Sequence, residues 1–314
     1  MASYSSLCDV TSCQRKALLK MQFKKFKRKT DPLVFGSAYH LSLEKDLSSG
    51  IEAYLDGARD NELDVGRNIE LLTEMNLRAN RFFLKHGIVI TEHEVNFDIP
   101  IPGLKEHFIG FVDGICEYGG KTWLIEFKTA RSIDVQHVPI DSQITSYIWA
   151  CKKLGICDPE GVLYVVNQKS FEKQPVVLRN GDLSVAKTQG CSYDAYAGEA
   201  LRIYGDNIPP RVEKFMQWLK ENERPKLVMV ATKRTDEELE NFERTLVDNI
   251  KLQETLRDRY EEKGLCKALQ ETPCFPNKMC FQFCDYKNEC LTLMTEKGFT
   301  DDDLGEEFVQ EVEK

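Results

Sequence analysis

Residues 107–129 read HFIGFVDGICEYGGKTWLIEFKT. Two apolar runs flank Gly119-Gly120, a pair that admits the positive φ angles of a tight hairpin turn. Residues 107–117 and 121–129 are therefore expected to be paired strands. In a strand, residues two apart share a face, so Glu126 and Lys128 point one way and Phe127 the other. Trp123, Leu124 and Ile125 suit a central strand, which makes a carboxylate and an amine there exceptional. Asp113 and Glu126 lie at similar distances from the turn, so the hairpin brings them together. Two carboxylates can share a hard divalent cation such as Mg²⁺, and a neighbouring lysine can orient water or offset developing negative charge. Spacing alone equally allows a surface hairpin with an incidental Glu–Lys pair.

Outward from the hairpin, 88–101 alternates as a further strand and 162–167 is a short apolar strand. Residues 139–154 read as a helix on which Gln143 and Tyr147, four apart, share a face. Helices are expected over 12–29, from Pro32 through Leu47, over 68–86 and over 236–263, with shorter elements near 211–220 and 227–230. Residues 171–230 otherwise carry little pattern. The order α, β-β-β-α-β, α implies one mixed sheet flanked by helices, an α/β fold. His40 sits on the second helix, where a structural histidine is the commoner outcome. Gly120-Lys121-Thr122 mimics the end of a phosphate-binding loop, but a strand follows where that loop requires a helix, so nucleotide hydrolysis is excluded at that position.

The chain has 314 residues, with 42 Lys and Arg against 51 Asp and Glu, a formal charge of −9. The whole-chain value speaks against nucleic acid, but its distribution does not. Residues 10–30 hold eight basic residues and no acidic one, whereas 296–314 carry a net −6 and leave −3 for the rest. Such a basic stretch can contact phosphates or can be an ordinary solvated helix face. No run is long and apolar enough for a membrane span, and no secretory segment is recognised, so a cytoplasmic protein is expected. Eleven cysteines in that setting favour metal ligation over disulfides. Cys274, Cys280, Cys284 and Cys290 form C-x5-C-x3-C-x5-C within a proline-containing loop, and Cys8 and Cys13 lie near the N-terminus. Zinc and an iron–sulfur cluster are both open on this spacing.

Gly36-x3-His40, Gly110-Phe111-Val112-Asp113, Glu126-Phe127-Lys128-Thr129 and Gln143-x3-Tyr147 occur in the order that resembles PD-(D/E)XK nucleases of the RecB type. Cys13 before the first helix with Cys280, Cys284 and Cys290 near the end resembles their iron–sulfur branch, which includes the AddB nuclease domain, CRISPR adaptation nucleases and phage exonucleases. The likeness spans 13 to 290. It implies a restriction-endonuclease-like core and a metal-dependent DNA nuclease, most simply an exonuclease, in recombination, repair or phage or CRISPR DNA processing. Mg²⁺ or Mn²⁺ would be held by Asp113, Glu126, the Phe127 carbonyl and His40, with Lys128 catalytic and Gln143 and Tyr147 assisting. A 4Fe–4S cluster on Cys13, Cys280, Cys284 and Cys290 would join the N- and C-terminal segments, with Cys8 and Cys274 as substitutes. Arg15, Lys16, Lys20 and Lys24 would contact DNA phosphates. The implied organisation is a single nuclease domain over 1–295, with its core at about 88–170, helical and cluster elements from 8–86 and 230–290, and an acidic tail over 296–314. The implied setting is the cytoplasm of a bacterial or phage-infected cell, with DNA, as single strands or duplex ends, and a helicase or recombination protein as partners, and no membrane. The alternatives are a catalytically silent DNA-binding subunit of a helicase–nuclease complex and a zinc-stapled structural protein.

Overall fold

The computed structural model of the chain describes residues 1–23, 29–222, 224–273, 278, 280 and 284–290. Lys24, Cys274 and the acidic tail lie outside the described residues. Strands β1 (Ala2–Ser3), β2 (Val89–Pro100), β3 (His107–Tyr118), β4 (Lys121–Ala130), β5 (Val162–Gln168) and β6 (Leu227–Thr232) form a six-stranded mixed sheet among the described residues. The fold is thus α/β, a mixed sheet with helices on both faces.

The hairpin forms as its sequence dictates. Tyr118 pairs with Lys121 across Gly119 and Gly120, whose φ angles of 60° and 71° leave the two strands antiparallel with no spare residue. β4 is the central strand, buried from Trp123 to Phe127. It pairs antiparallel with β3 and parallel with β5. The parallel step needs a crossover, which helix α6 (Ser142–Leu154) supplies. β3 is shared along its length. Its C-terminal half pairs with β4, while Phe108 and Ile109 pair with β1, and β2 runs along its other edge.

Helices α1 (Tyr4–Ser12), α2 (Gln14–Phe23), α3 (Asp31–Glu44), α4 (Leu47–Asp60) and α5 (Asn68–His86) precede the hairpin. Helices α7 (Tyr193–Tyr204) and α8 (Pro210–Asn222) build a satellite core between β5 and β6, and α9 (Asp236–Lys263) and α10 (Leu265–Glu271) follow. One sheet face packs α6 and α9 through Ile144, Ile148, Leu246 and Ile250 onto Leu124, Val162 and Tyr164. The other packs α3, α4 and α5 through Phe35, Tyr39, Tyr54, Leu72 and Met75 onto Ile125, Phe127 and Leu163. Among the described residues no helix is long and apolar enough to cross a membrane.

Of the helix expected over 12–29 the described residues show α2 (Gln14–Phe23); Cys13, extended at φ −162° and ψ 107°, separates it from α1, a helix not expected from the sequence and started by a Ser3–Ser6 capping box. The helix expected from Pro32 to Leu47 is α3, and α4, not expected from the sequence, follows it. Lys45 ends α3, and the Asp46 carboxylate accepts the Ser49 N–H at 2.8 Å to begin α4. The sheet extends beyond the core expected at 88–170, since β1 and β6 both belong to it.

Candidate active site

Extending the Gly114–Ile125 register by one residue sets Asp113 opposite Glu126, where β3 and β4 part. Asp113 Oδ2 accepts the Phe127 N–H at 2.7 Å, a donor released by that parting. His40, delivered by α3, lies with Nδ1 3.1 Å from Asp113 Oδ1. Burial pushes the Asp113 carboxyl up, but the His40 hydrogen bond and charge, with the Phe127 N–H, outweigh it and hold it below the usual carboxylate range. Burial likewise pushes His40 down, and Asp113 more than offsets this, so the imidazole holds its proton more firmly than a free histidine.

Glu126 is 2 % exposed. Burial and then the Asp113 charge raise its carboxyl to about 7, against the pull of Lys128 and His40. Lys128 Nζ lies 2.5 Å from Glu126 Oε1, while Glu126 Oε2 is buried with no hydrogen-bond partner. Burial lowers the Lys128 amine, but Glu126 and Asp113 outweigh it and keep it an ammonium.

Helix α6 adds the next layer. Asp141 caps it, accepting the Gln143 N–H at 2.8 Å, and Gln143 Nε2 donates to the Tyr147 hydroxyl at 2.7 Å. Burial raises the Tyr147 phenol, and the Glu126 and Asp113 charges raise it further, so its ring stands within electrostatic reach of both carboxylates. The structure therefore brings His40, Asp113, Glu126, Phe127 and Lys128 together where the hairpin opens, with Tyr147 in electrostatic reach and Gln143 bonded to it.

Three neighbours escape sequence reading. Tyr164 pairs in register with Glu126 across the parallel ladder, and His137 Nε2 lies 3.3 Å from its hydroxyl. Arg234 donates to Thr145 Oγ1 at 2.7 Å and to the carbonyls of Asp141 and Val138 at 3.0 and 3.2 Å, which anchors the start of α6 to the end of β6. Asn167, fully buried, donates to the Tyr39 hydroxyl and the Met75 carbonyl, both at 2.9 Å, and accepts from Arg78 at 2.8 Å. It locks α3, and so the residue preceding His40, against β5. An asparagine ending the run VLYVVN was a signal for this.

The other expected residues lie in a separate group. Cys284 is raised by burial and then by the nearby Cys13 and Cys280 thiols, so these three cysteines are neighbours although 13 and 284 are remote in sequence. Cys290 follows one helical turn after Tyr286, whose carbonyl accepts its N–H at 3.1 Å. The Cys8 thiol instead shares a hydrogen bond with Tyr4. The segments meet because Leu18 and Leu19 of α2 pack on Leu256, Leu265, Leu269 and Tyr286. Lys16 Nζ lies 3.0 Å from Asp9 Oδ1, Lys20 bonds the other Asp9 oxygen, and Arg15 Nε donates to the Thr272 carbonyl at 3.0 Å. Three of the four basic residues expected to face DNA are thus engaged within the fold.

Among the described residues no three His, Cys, Asp or Glu side chains close into a metal-holding arrangement. The donor types nevertheless fit a hard divalent cation at the first group: the Asp113 carboxylate bonds the His40 imidazole, Glu126 lies opposite Asp113 in the strand register, and Glu126 Oε2 is a buried acceptor with nothing to accept.

The sequence matches the profile of the PD-(D/E)XK nuclease superfamily over residues 1–291. No curated protein matches it significantly. Among solved structures, it is similar to a candidate exonuclease from Eubacterium rectale at 14% identity and TM-score 0.39, covering 76% of this chain and 87% of that one. It is also similar to the protein SSO0001 at 18% identity and TM-score 0.26, covering 52% of this chain and 61% of that one. With the profile covering nearly the whole chain and the hairpin carrying the acid–lysine motif, this chain belongs to the PD-(D/E)XK nuclease superfamily.

Proposed function

We propose that this nuclease is a Mg²⁺- or Mn²⁺-dependent DNA exonuclease whose reacting centre is Asp113, Glu126 and Lys128. The observation that carries the reading is the buried carboxylate pair beside an ammonium, with Glu126 Oε2 unpartnered. Asp113, Glu126, His40 and the Phe127 carbonyl would hold the cation, which when bound would activate water and offset phosphate charge. Asp113 is kept ionised by His40 and the Phe127 N–H, and so is ready to bind a cation at neutral pH. Lys128 holds its proton against Glu126, which suits it to orient the attacking water and neutralise the phosphorane-like charge rather than to abstract a proton. Gln143 and Tyr147, bonded to each other and anchored through Arg234, would fix the lysine side of the site or the adjacent phosphate.

The neighbouring Cys13, Cys280 and Cys284, with Cys290 one turn beyond Tyr286, support a second proposal, a 4Fe–4S cluster that staples α2 to the C-terminal segment. Anaerobically purified protein should then be brown, with broad visible absorption that bleaches on reduction; colourless protein with stoichiometric zinc refutes the cluster.

The decisive experiment incubates 5′- and 3′-labelled single- and double-stranded DNA with the full chain and Mg²⁺ or Mn²⁺. Lys128→Ala and Asp113→Ala should each abolish cleavage with the fold intact by circular dichroism. Full activity in either variant refutes the assignment.

A further inference from the structure

The strand that carries Asp113 also carries an aromatic ring that the core does not use. Phe108 and Val112 of β3 are fully buried, in the layer with Trp149 and Phe242. Strand alternation turns Phe111 to the opposite side, where it is 53 % exposed. Among the described residues it is the one phenylalanine or tryptophan left exposed. α3 belongs to the layer on that same side, and from there it delivers His40 to Asp113. Phe111 lies two residues before Asp113 in β3, about 6.7 Å along the chain.

We propose that Phe111 is a stacking platform for an unpaired nucleobase, so that single-stranded DNA is the strand presented to Asp113, Glu126 and Lys128; the proposal rests on the nuclease reading above. An apolar ring in water gains from contact with any base face, and stacking of this kind tolerates every sequence. The surroundings select a base over the backbone. Glu94 is exposed on the neighbouring β2 and repels phosphate, whereas Asn96, the register partner of Phe111, donates one amide hydrogen to the Glu94 carbonyl at 3.2 Å and keeps its other hydrogen and its oxygen for a base edge. Inside a duplex the base faces are covered by their neighbours and only the two terminal pairs keep an outer face, whereas every unpaired nucleotide has a face to give.

The test measures binding without turnover, in EDTA, by anisotropy of labelled oligothymidylate and of a blunt duplex on the full chain. Phe111→Ala and Phe111→Leu should each weaken oligothymidylate binding by about 5- to 150-fold and leave duplex binding nearly unchanged. Phe111→Trp should keep the affinity, and its emission should be quenched as oligothymidylate is added. Wild-type affinity in Phe111→Ala or in Phe111→Leu overturns the platform, as does an absence of oligothymidylate binding by the wild type. If the wild type cleaves and Phe111→Ala binds normally, the platform alone fails. If binding depends on the ring but no DNA is ever cut, the nuclease reading alone fails.

Discussion

Replacing Glu126 with Gln should make the metal-free protein more stable while destroying its activity. Burial and the Asp113 charge raise the Glu126 carboxyl from 4.5 to about 7, and that difference corresponds to about 3 kcal/mol against the ionised form in the fold. Because the folded value lies above the unfolded one, the penalty is absent below about pH 4.5 and complete above about pH 7. The wild type should therefore lose stability between these limits as pH rises. Glu126→Gln removes the charge and keeps an amide oxygen for Lys128 Nζ, which in the wild type lies 2.5 Å from Glu126 Oε1. The pull of Lys128 is already contained in that raised value, so the net gain at pH 8 is about 3 kcal/mol. Urea unfolding in EDTA at pH 5 and pH 8 reads this directly. Adding Mg²⁺ should stabilise the wild type and not Glu126→Gln. A variant less stable than wild type at pH 8, or an advantage equal at both pH values, refutes the reasoning.

Two further substitutions test the supports of the site. Arg234→Ala removes the donor to Thr145 and to the Asp141 and Val138 carbonyls, and should lower stability by about 2–3 kcal/mol, measured by urea unfolding, with Lys restoring only part. A Cβ at Gly50 would meet Ser42 Cβ at 2.4 Å and the Ala38 carbonyl oxygen at 2.7 Å, so Gly50→Ala should force α4 off α3. We expect a loss of about 1–3 kcal/mol by the same measurement, and reduced cleavage through displaced His40.

The parts legible in the sequence are those whose cause is local. α5 shows its apolar stripe and ends at Gly87, which takes φ 64°. α9 opens on the Thr235–Glu238 capping box. The hairpin announces itself through Gly119-Gly120 and the buried run from Trp123 to Phe127. The proximity of Asp113 to Glu126 follows from that register alone. The start of α4 is also local, through its Asp46 cap, although no helix was expected over 48–60. What stayed hidden depends on distant segments. The basic stretch looked unopposed because Asp9 stands one residue before it and reaches Lys16 and Lys20 only once α1 and α2 fold against each other. Tyr164 joins the site only through the parallel ladder, and Arg234 only because β6 ends beside the α6 cap. Each is an ordinary residue in its own neighbourhood.

The packing of α2 on α9 and α10 sets a clock for the newborn chain. Leu18 and Leu269 are about 250 residues apart yet share one core. At about 5–20 residues per second, ribosomal synthesis leaves the apolar side of α2 without its partner for roughly 12–50 s. The hairpin and its flanking helices can form during that wait, since their contacts are with sequence already made. The last event of assembly is then the closing of the two ends on each other, and a chain stopped before α10 would present a finished centre with α2 only partly covered.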